Sequence, residues 1–557
     1  MGEHFGREKS GIKDAVRRRA QILIRPRVTS VRAPRRYDAP MSEKLRRLFM
    51  QHPLLRDALL WALPALLVGT VLRVLMLSYL PFAYWGSDSR SYFSFAHKLL
   101  TEGYISLDEK RRFLYPLLMA FVGALPGPPL KWLAVLQHAL GIATLVPLAY
   151  LLRKTLAHWR VLIVPITILY AGWPIVLWYE HELLGETLVF AALVWAFAGW
   201  CAWVEEPRLA RAQRLFWFFF VPFAVAILTK PSSRFLWPGV MLGLVIVCAW
   251  RRLSRANVIA LGLLVVITLF VGSKKQGAWL LYVATFPLTQ IDSPAHADYK
   301  AEIRDDVRKF HARVHSYYLE DDWPFAFLES PRKQEQRKLW AELDKDEKRK
   351  AKLYTDLALE GMKAEPLLFL YIGAQKLVGS VNVSEFKEDR FTSAFYIERF
   401  PHHYEDAQKK PNSPARFALG FGKRDTLPDY AAFTQQLAPR PGSWMERAVT
   451  GWVAFVDRIA DFVVLPQDWD VADRHIGKTR VKPLGWWLLA ACVLAVALPA
   501  YRRTFGVWTL IAVSYVCGVF LVSQINPRYF APAWPVLLPL LAVPADAILR
   551  VVRRKAG

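Results

Sequence analysis

Apolar runs of about 20 residues recur along almost the whole chain, and nothing else in the sequence constrains its fold as strongly. A bilayer core of about 30 Å is crossed by a helix of about 20 mostly apolar residues. Ten runs meet that length: 57–80, 131–152, 161–179, 183–203, 215–229, 235–250, 257–272, 484–500, 506–523 and 532–549. The fifth is the shortest. An eleventh, Phe113–Leu125, closes on Pro126-Gly127-Pro128-Pro129 and suits an interfacial or re-entrant helix better than a span. The expected fold class is an all-α polytopic membrane protein with a bundle of about ten transmembrane helices.

Charge supports this reading once it is divided along the chain. The 73 Lys+Arg against 47 Asp+Glu leave +26, which first suggests a nucleic-acid partner. The basic residues lie between apolar runs, however, and 54% of the residues are hydrophobic, which excludes both a soluble nucleic-acid binder and a disordered chain. The 22 Trp and 21 Tyr suit interfacial anchoring. Residues 1–55 hold 14 Lys/Arg against 5 Asp/Glu. Arg153, Lys154 and Arg160 follow the second run, Arg208, Arg211 and Arg214 the fourth, and Arg251, Arg252 and Arg255 the sixth. Arg502 and Arg503 follow the eighth, and Arg550, Arg553, Arg554 and Lys555 the tenth. Every second connection is therefore basic, which places both termini in the cytoplasm of an inner-membrane protein. Met41 is an alternative start.

The remaining segments follow from this alternation. Residues 1–55 are a basic cytoplasmic arm. Residues 56–272 form a core of seven spans with its first outer loop at 81–130, and 484–557 carry the last three spans. The long segment 273–483 falls on the outer, periplasmic side with 33 Lys/Arg and 31 Asp/Glu. It is expected to be mostly helical, with helical signals over Tyr299–Tyr318 and Gln334–Ala364, a surface-lying run Pro366–Val378, and loop over 401–445. The cysteines Cys201, Cys248, Cys492 and Cys517 all sit in apolar runs and read as packing residues. No repeat of fixed period and no nucleotide-phosphate loop is found. His311 and His315 have i,i+4 spacing but no third ligand at fixed spacing, so no metal or other cofactor is expected.

The polar groups on the outer side form a short set: Gly86-Ser87-Asp88-Ser89-Arg90-Ser91-Tyr92, Arg111-Arg112 before Tyr115-Pro116, Glu180-His181-Glu182, Gly185-Glu186, Lys230-Pro231-Ser232-Ser233-Arg234, and Asn526-Pro527-Arg528-Tyr529. The middles of the runs read as nearly free of charge. Each group has a plainer reading. Asp88 fits a helix N-cap, Glu182 and Glu186 fit solvated helix ends, and Arg234 and Arg528 fit snorkelling side chains.

Order and spacing add to this. Gly86-Ser87-Asp88-Ser89, Tyr92, Ala96, Gly103, Arg112 and Tyr115-Pro116-Leu117 together resemble the first outer loop of GT-C glycosyltransferases. The likeness is to the branch of the protein O-mannosyltransferases and the lipid A aminoarabinose transferases. Pro174 followed by Leu184-Gly185-Glu186-Thr187-Leu188 is similar to that family's Pro…Ser-Glu element, with Gly185 in place of Ser. Asn526-Pro527-Arg528-Tyr529 with Pro532 and Pro535 is similar to its Arg-Tyr…Pro…Pro near the last helix. The resemblance implies two juxtamembrane helices in the first outer loop. It also implies inverting transfer of a sugar from a polyprenyl-phosphate carrier to a glycan, lipid or protein acceptor on the outer face. It covers the first six spans and the last, and leaves 273–483 unmatched.

Such a transfer needs a base for the acceptor hydroxyl and cationic donors for the leaving phosphate. The resemblance assigns Asp88 as base, with Glu186 as the second carboxylate and Arg528 on the phosphate. Lys230, Arg234 and Arg112 are further candidates for that anion, and Tyr92, Tyr529 and Glu182 for substrate contact. Two alternatives stay open: a ligase or polymerase of lipid-linked oligosaccharides, and a non-enzymatic lipid or solute transporter. We predict that Asp88→Asn abolishes transfer by purified protein while the fold and carrier binding are retained. Near-normal turnover in that variant rejects the assignment.

Overall fold

The computed structural model describes residues 53–86, 89–103, 112–156, 159–270, 274–312, 346–380, 388–399, 401–410, 413–421, 425–463, 483–522 and 537–556. Helix dominates, and no β-strand occurs among the described residues; their one extended pairing is an isolated parallel bridge between Tyr84 and Glu182. The first part of the chain contains α1 (Pro53–Tyr79), α2 (Ser89–Glu102), α3 (Leu114–Gly123), α4 (Pro129–Thr155), α5 (Ile163–Ala171), α6 (Pro174–His181), α7 (Glu186–Glu205), α8 (Leu209–Thr229), α9 (Leu236–Ile246) and α10 (Arg255–Phe270). Then come α11 (Lys274–Thr285), α12 (Ala297–Ala312), α13 (Glu347–Ala364) and α14 (Pro366–Ser380). After several short helices follow α15 (Trp444–Val463), α16 (Pro483–Ala497), α17 (Val507–Val522) and α18 (Val543–Ala556).

Among the described residues five helices are long and apolar enough to cross a membrane: Arg56–Tyr79, Pro129–Thr155, Glu186–Glu205, Leu209–Thr229 and Pro499–Leu521. A sixth is formed if Arg160–Ala171 and Pro174–His181, bent by 44°, count as one broken span. This composition is compatible with a multi-pass, all-helical membrane protein. The fifth apolar run is longer than its apolar core suggests: α8 has 21 residues because the helix starts before Arg211 and Arg214. The sixth, seventh and eighth runs form helices of 11, 16 and 15 residues. Residues 532–536 of the tenth lie outside the described residues.

The bundle is packed through large aromatics and small residues. Phe197 stacks on Trp508 at 4.7 Å between ring centroids, and Trp203 stacks on Phe219 at 5.8 Å. In lipid no hydrophobic force drives helix against helix, so close backbone approach at small residues supplies the packing. Gly239 of α9 is one such point: a Cβ there would collide with Ile511 Cα and lie 2.8 Å from the Leu510 carbonyl oxygen of α17.

The segment after α10 has its own core. Tyr282 of α11 stacks on Tyr354 of α13 at 4.6 Å and shares a 3.1 Å hydroxyl contact with Tyr299 of α12. Lys300, fully buried, pairs with Glu360 at 2.7 Å and donates to Ser293 at 2.6 Å. On α14, Gly373 lies against Leu521, which ties this cluster to the end of α17. His311 bonds the Pro287 carbonyl at 3.0 Å, and His315 lies outside the described residues.

Gly239→Ala is expected to destabilise the protein by about 1–3 kcal/mol through overpacking against backbone that cannot yield. Gly262→Ala, at a helical position with no atom within 4 Å, is expected to be neutral or mildly stabilising. Thermal unfolding in detergent measures both.

Candidate functional site

The site is organised by a break in one helix. Pro174 has no N–H and pushes Trp173 into an extended conformation (ψ 127°), so α5 cannot run on into α6. The break frees the carbonyls of Ala171 and Gly172. Each finds a donor from elsewhere in the chain: Arg73 Nη1 bonds the Ala171 oxygen at 2.9 Å, and the Trp452 indole bonds the Gly172 oxygen at 2.9 Å. Beyond the break α6 ends at His181, and Glu182 turns extended (ψ 143°). Tyr84 N–H then donates to the His181 oxygen at 2.6 Å, and Leu183 N–H to the Tyr84 oxygen at 2.9 Å. The segment between α1 and α2 is thereby tied to the end of the broken span.

A buried polar network holds that end. Arg73 forks onto Glu180 through Nε (2.7 Å to Oε2) and Nη2 (2.5 Å to Oε1), with both residues 1% exposed. His138 Nδ1 meets Glu180 Oε2 at 2.9 Å, and its Nε2 lies 3.2 Å from His181 Nδ1. Gln137 donates to the carbonyls of Glu180 (2.9 Å) and Glu182 (2.8 Å) and accepts from the Tyr115 hydroxyl at 2.5 Å. Gly141 of α4 makes this possible, because any Cβ there would overlap the Glu180 carboxylate. The expectation that the middles of the runs are nearly free of charge is corrected here. Arg73 lies well inside the first run, and its burial is sustained by a bidentate partner.

Several of the expected site residues meet beside this network. The Trp178 indole donates to Glu182 Oε2 at 2.7 Å, and the other carboxylate oxygen sits where a Cβ on Gly86 would approach to 2.5 Å. Ser89 N–H bonds the Gly86 oxygen at 3.1 Å, and Ser89 Oγ bonds the Leu183 oxygen at 3.1 Å. Ser87 and Asp88 lie outside the described residues, but the residues on either side of them rest on Glu182 and Leu183. Glu186, at the first position of α7, pairs with Lys230 at 2.9 Å, and both are buried. Tyr92 packs edge-on against Tyr115 at 5.2 Å. Burial pushes the Tyr115 hydroxyl well above the usual phenol range, and Tyr92, Glu186 and Glu182 add to the effect. Gly185, where the resembled family has Ser, is confined by the Thr229 methyl at 2.9 Å from a would-be Cβ.

The remaining expected cations divide. Arg528 and Tyr529 lie outside the described residues. Arg112 is described and 3% exposed. Its Nη2 donates to the Thr268 oxygen at 3.3 Å, while Nε and Nη1 have no hydrogen-bond partner among the described residues. Burial, and then the positive charge of Arg234, lower its pKa to about 10. Arg234 is on the 3-10 turn Pro231–Phe235, and Ser232 Oγ and Ser233 Oγ on the same turn also have no partner among the described residues. Two guanidinium groups near one another, one of them with two nitrogens lacking a partner among the described residues, favour an anion.

Sequence reading missed Arg73, Gln137 and His138 as parts of this arrangement. A lone arginine inside an apolar run was the available signal for Arg73. Gln137 and His138 carry no comparable signal, since single polar residues in a span are common packing features. Comparison of the chain with family models, with curated proteins and with solved structures gave no match. The family resemblance therefore rests on the motifs themselves.

Arg112→Met removes a buried, incompletely bonded charge and is expected to raise stability by about 1–3 kcal/mol. A lowered melting temperature would show instead that the guanidinium is a structural anchor.

Proposed function

We propose that the chain is an integral-membrane inverting glycosyltransferase, using a polyprenyl-phosphate-linked sugar and acting on the extracytoplasmic face through a bundle of about ten spans with both termini cytoplasmic. One observation carries this reading: carboxylates occur at the same end of the bundle as Arg112, an under-bonded cation with Arg234 near it. Glu182 adjoins the segment that leads to Asp88, Glu186 lies near Tyr115, and Arg112 lies near Arg234. Acid–base chemistry and anion stabilisation are the two demands of sugar transfer from a phosphate carrier.

In the proposed step Asp88 takes the proton of the acceptor hydroxyl. The hydroxyl oxygen attacks the anomeric carbon from the face opposite the phosphate. The carbon–oxygen bond to phosphate breaks, and the electron pair leaves on the polyprenyl phosphate, held by Arg112 and Arg234 with Arg528. Glu186 holds Lys230 and orients the sugar with Glu182, Tyr92 and Tyr529. The acceptor is a glycan, a lipid or a protein, and 273–483 contributes to choosing it.

A second reading, a lipid or solute transporter, draws on the broken helix and on the ionisable pair Arg73–Glu180, both of which occur in transporters. It is weakened by the bonding of that pair, in which each guanidinium nitrogen of Arg73 already has a partner within the chain. The two readings separate when purified protein is incubated with a panel of polyprenyl-phosphate sugars and followed by mass spectrometry. Release of free polyprenyl phosphate with transfer or hydrolysis of the sugar is expected. No turnover across the panel, together with solute or lipid flux in proteoliposomes, would overturn the proposal.

A further inference from the structure

Arg73 and Glu180 take no part in the chemistry proposed above, yet they are among the most completely buried charged side chains in the bundle. A buried ion pair is a poor source of stability, because apolar residues of similar volume often serve the fold as well. What such a pair does supply is direction. The guanidinium of Arg73 is fixed by four bonds: two to Glu180, and one each to the carbonyls of Gly69 (3.0 Å) and Ala171 (2.9 Å). It therefore fastens α1 to both halves of the broken span, to α5 through the Ala171 oxygen and to α6 through Glu180.

From Glu180 the constraint passes along a short path. Its backbone carbonyl is held by Gln137, and the same amide holds the Glu182 carbonyl. Between them, His181 and Leu183 exchange backbone bonds with Tyr84. Two residues beyond Tyr84, Gly86 rests against the Glu182 carboxylate. We propose that Arg73 and Glu180 are positioning residues: through the Tyr84–Glu182 bridge they set the geometry of Glu182 and of the 81–86 segment that leads to Asp88. The kinetic consequence rests on the transfer reading; the structural one does not.

The test uses full-length protein in nanodiscs, with the double variant Arg73→Met/Glu180→Met, which removes both charges together and leaves neither unpaired. Hydrogen exchange is read at the amides of Tyr84 and Leu183, which donate across the connection. Exchange at both is expected to rise by about tenfold or more in a protein that remains folded. Turnover at saturating donor is expected to fall by about a hundredfold, with the donor KM changed less than about twofold, since misplacement by about 1 Å is enough for such a loss. Asp546→Asn serves as the control. That buried carboxylate bonds Tyr501 and Arg550 elsewhere in the bundle, so its loss is expected to lower the melting temperature and leave both amides protected. Wild-type protection of Tyr84 and Leu183 in a folded double variant overturns the proposal, whatever the activity. If wild-type protein transfers no sugar at all, the transfer reading fails and exchange alone decides the positioning role. If the double variant does not fold, Glu180→Asp takes its place. It keeps the charge but withdraws it by one methylene, and intermediate losses in protection and turnover are expected; wild-type values for both overturn the proposal.

Discussion

The fork of Arg73 on Glu180 is the interaction from which the rest of the site is laid out. The third apolar run breaks at Pro174, and a break in an apolar setting frees carbonyls that must be satisfied internally. Arg73 answers one of them directly, at Ala171, and fixes the next half-helix through Glu180. Trp452 of α15 answers the other, at Gly172. The bend of 44° is thus held from two sides by residues far from it in sequence. The direction of α6 then determines where Glu182 and Glu186 stand.

Much of the architecture was legible in the residues. Long apolar runs at 57–80, 131–152, 183–203 and 506–523 correspond to helices able to cross a membrane, because run length and helical rise leave little freedom. Phe113–Leu125, too short for a span, is the ten-residue helix α3. Boundaries were less legible where charge enters a helix, as at Arg211 and Arg214 of α8. The bend at Gly172–Pro174 was hidden because its cause is one proline and its support comes from Arg73 and Trp452, which no local pattern links to it.

The site was legible in part. Placement in the expected outer loops, together with the family resemblance, brought Glu182, Glu186, Lys230, Tyr92 and Arg112 under consideration, and the first four gather around Tyr115 or the end of α6. The pairing of Glu186 with Lys230 was not readable, since 44 positions separate them. Nor was the contrast between two buried arginines. Every guanidinium nitrogen of Arg73 has a partner, whereas Arg112 keeps two nitrogens without any among the described residues. That contrast in bonding, at similar burial, separates a residue that builds the site from one disposed to receive a ligand.

The central claim is that a lipid-borne phosphate is held at this end of the bundle, opposite the carboxylates. Its most direct measurement is an experimental structure of the full-length protein with a non-hydrolysable polyprenyl-phosphate sugar. The account predicts a phosphate oxygen about 2.7–3.2 Å from Arg112 Nε or Nη1, with the anomeric carbon turned toward the Glu182 and Glu186 side. A carrier bound with its phosphate remote from Arg112 and Arg234 would contradict it.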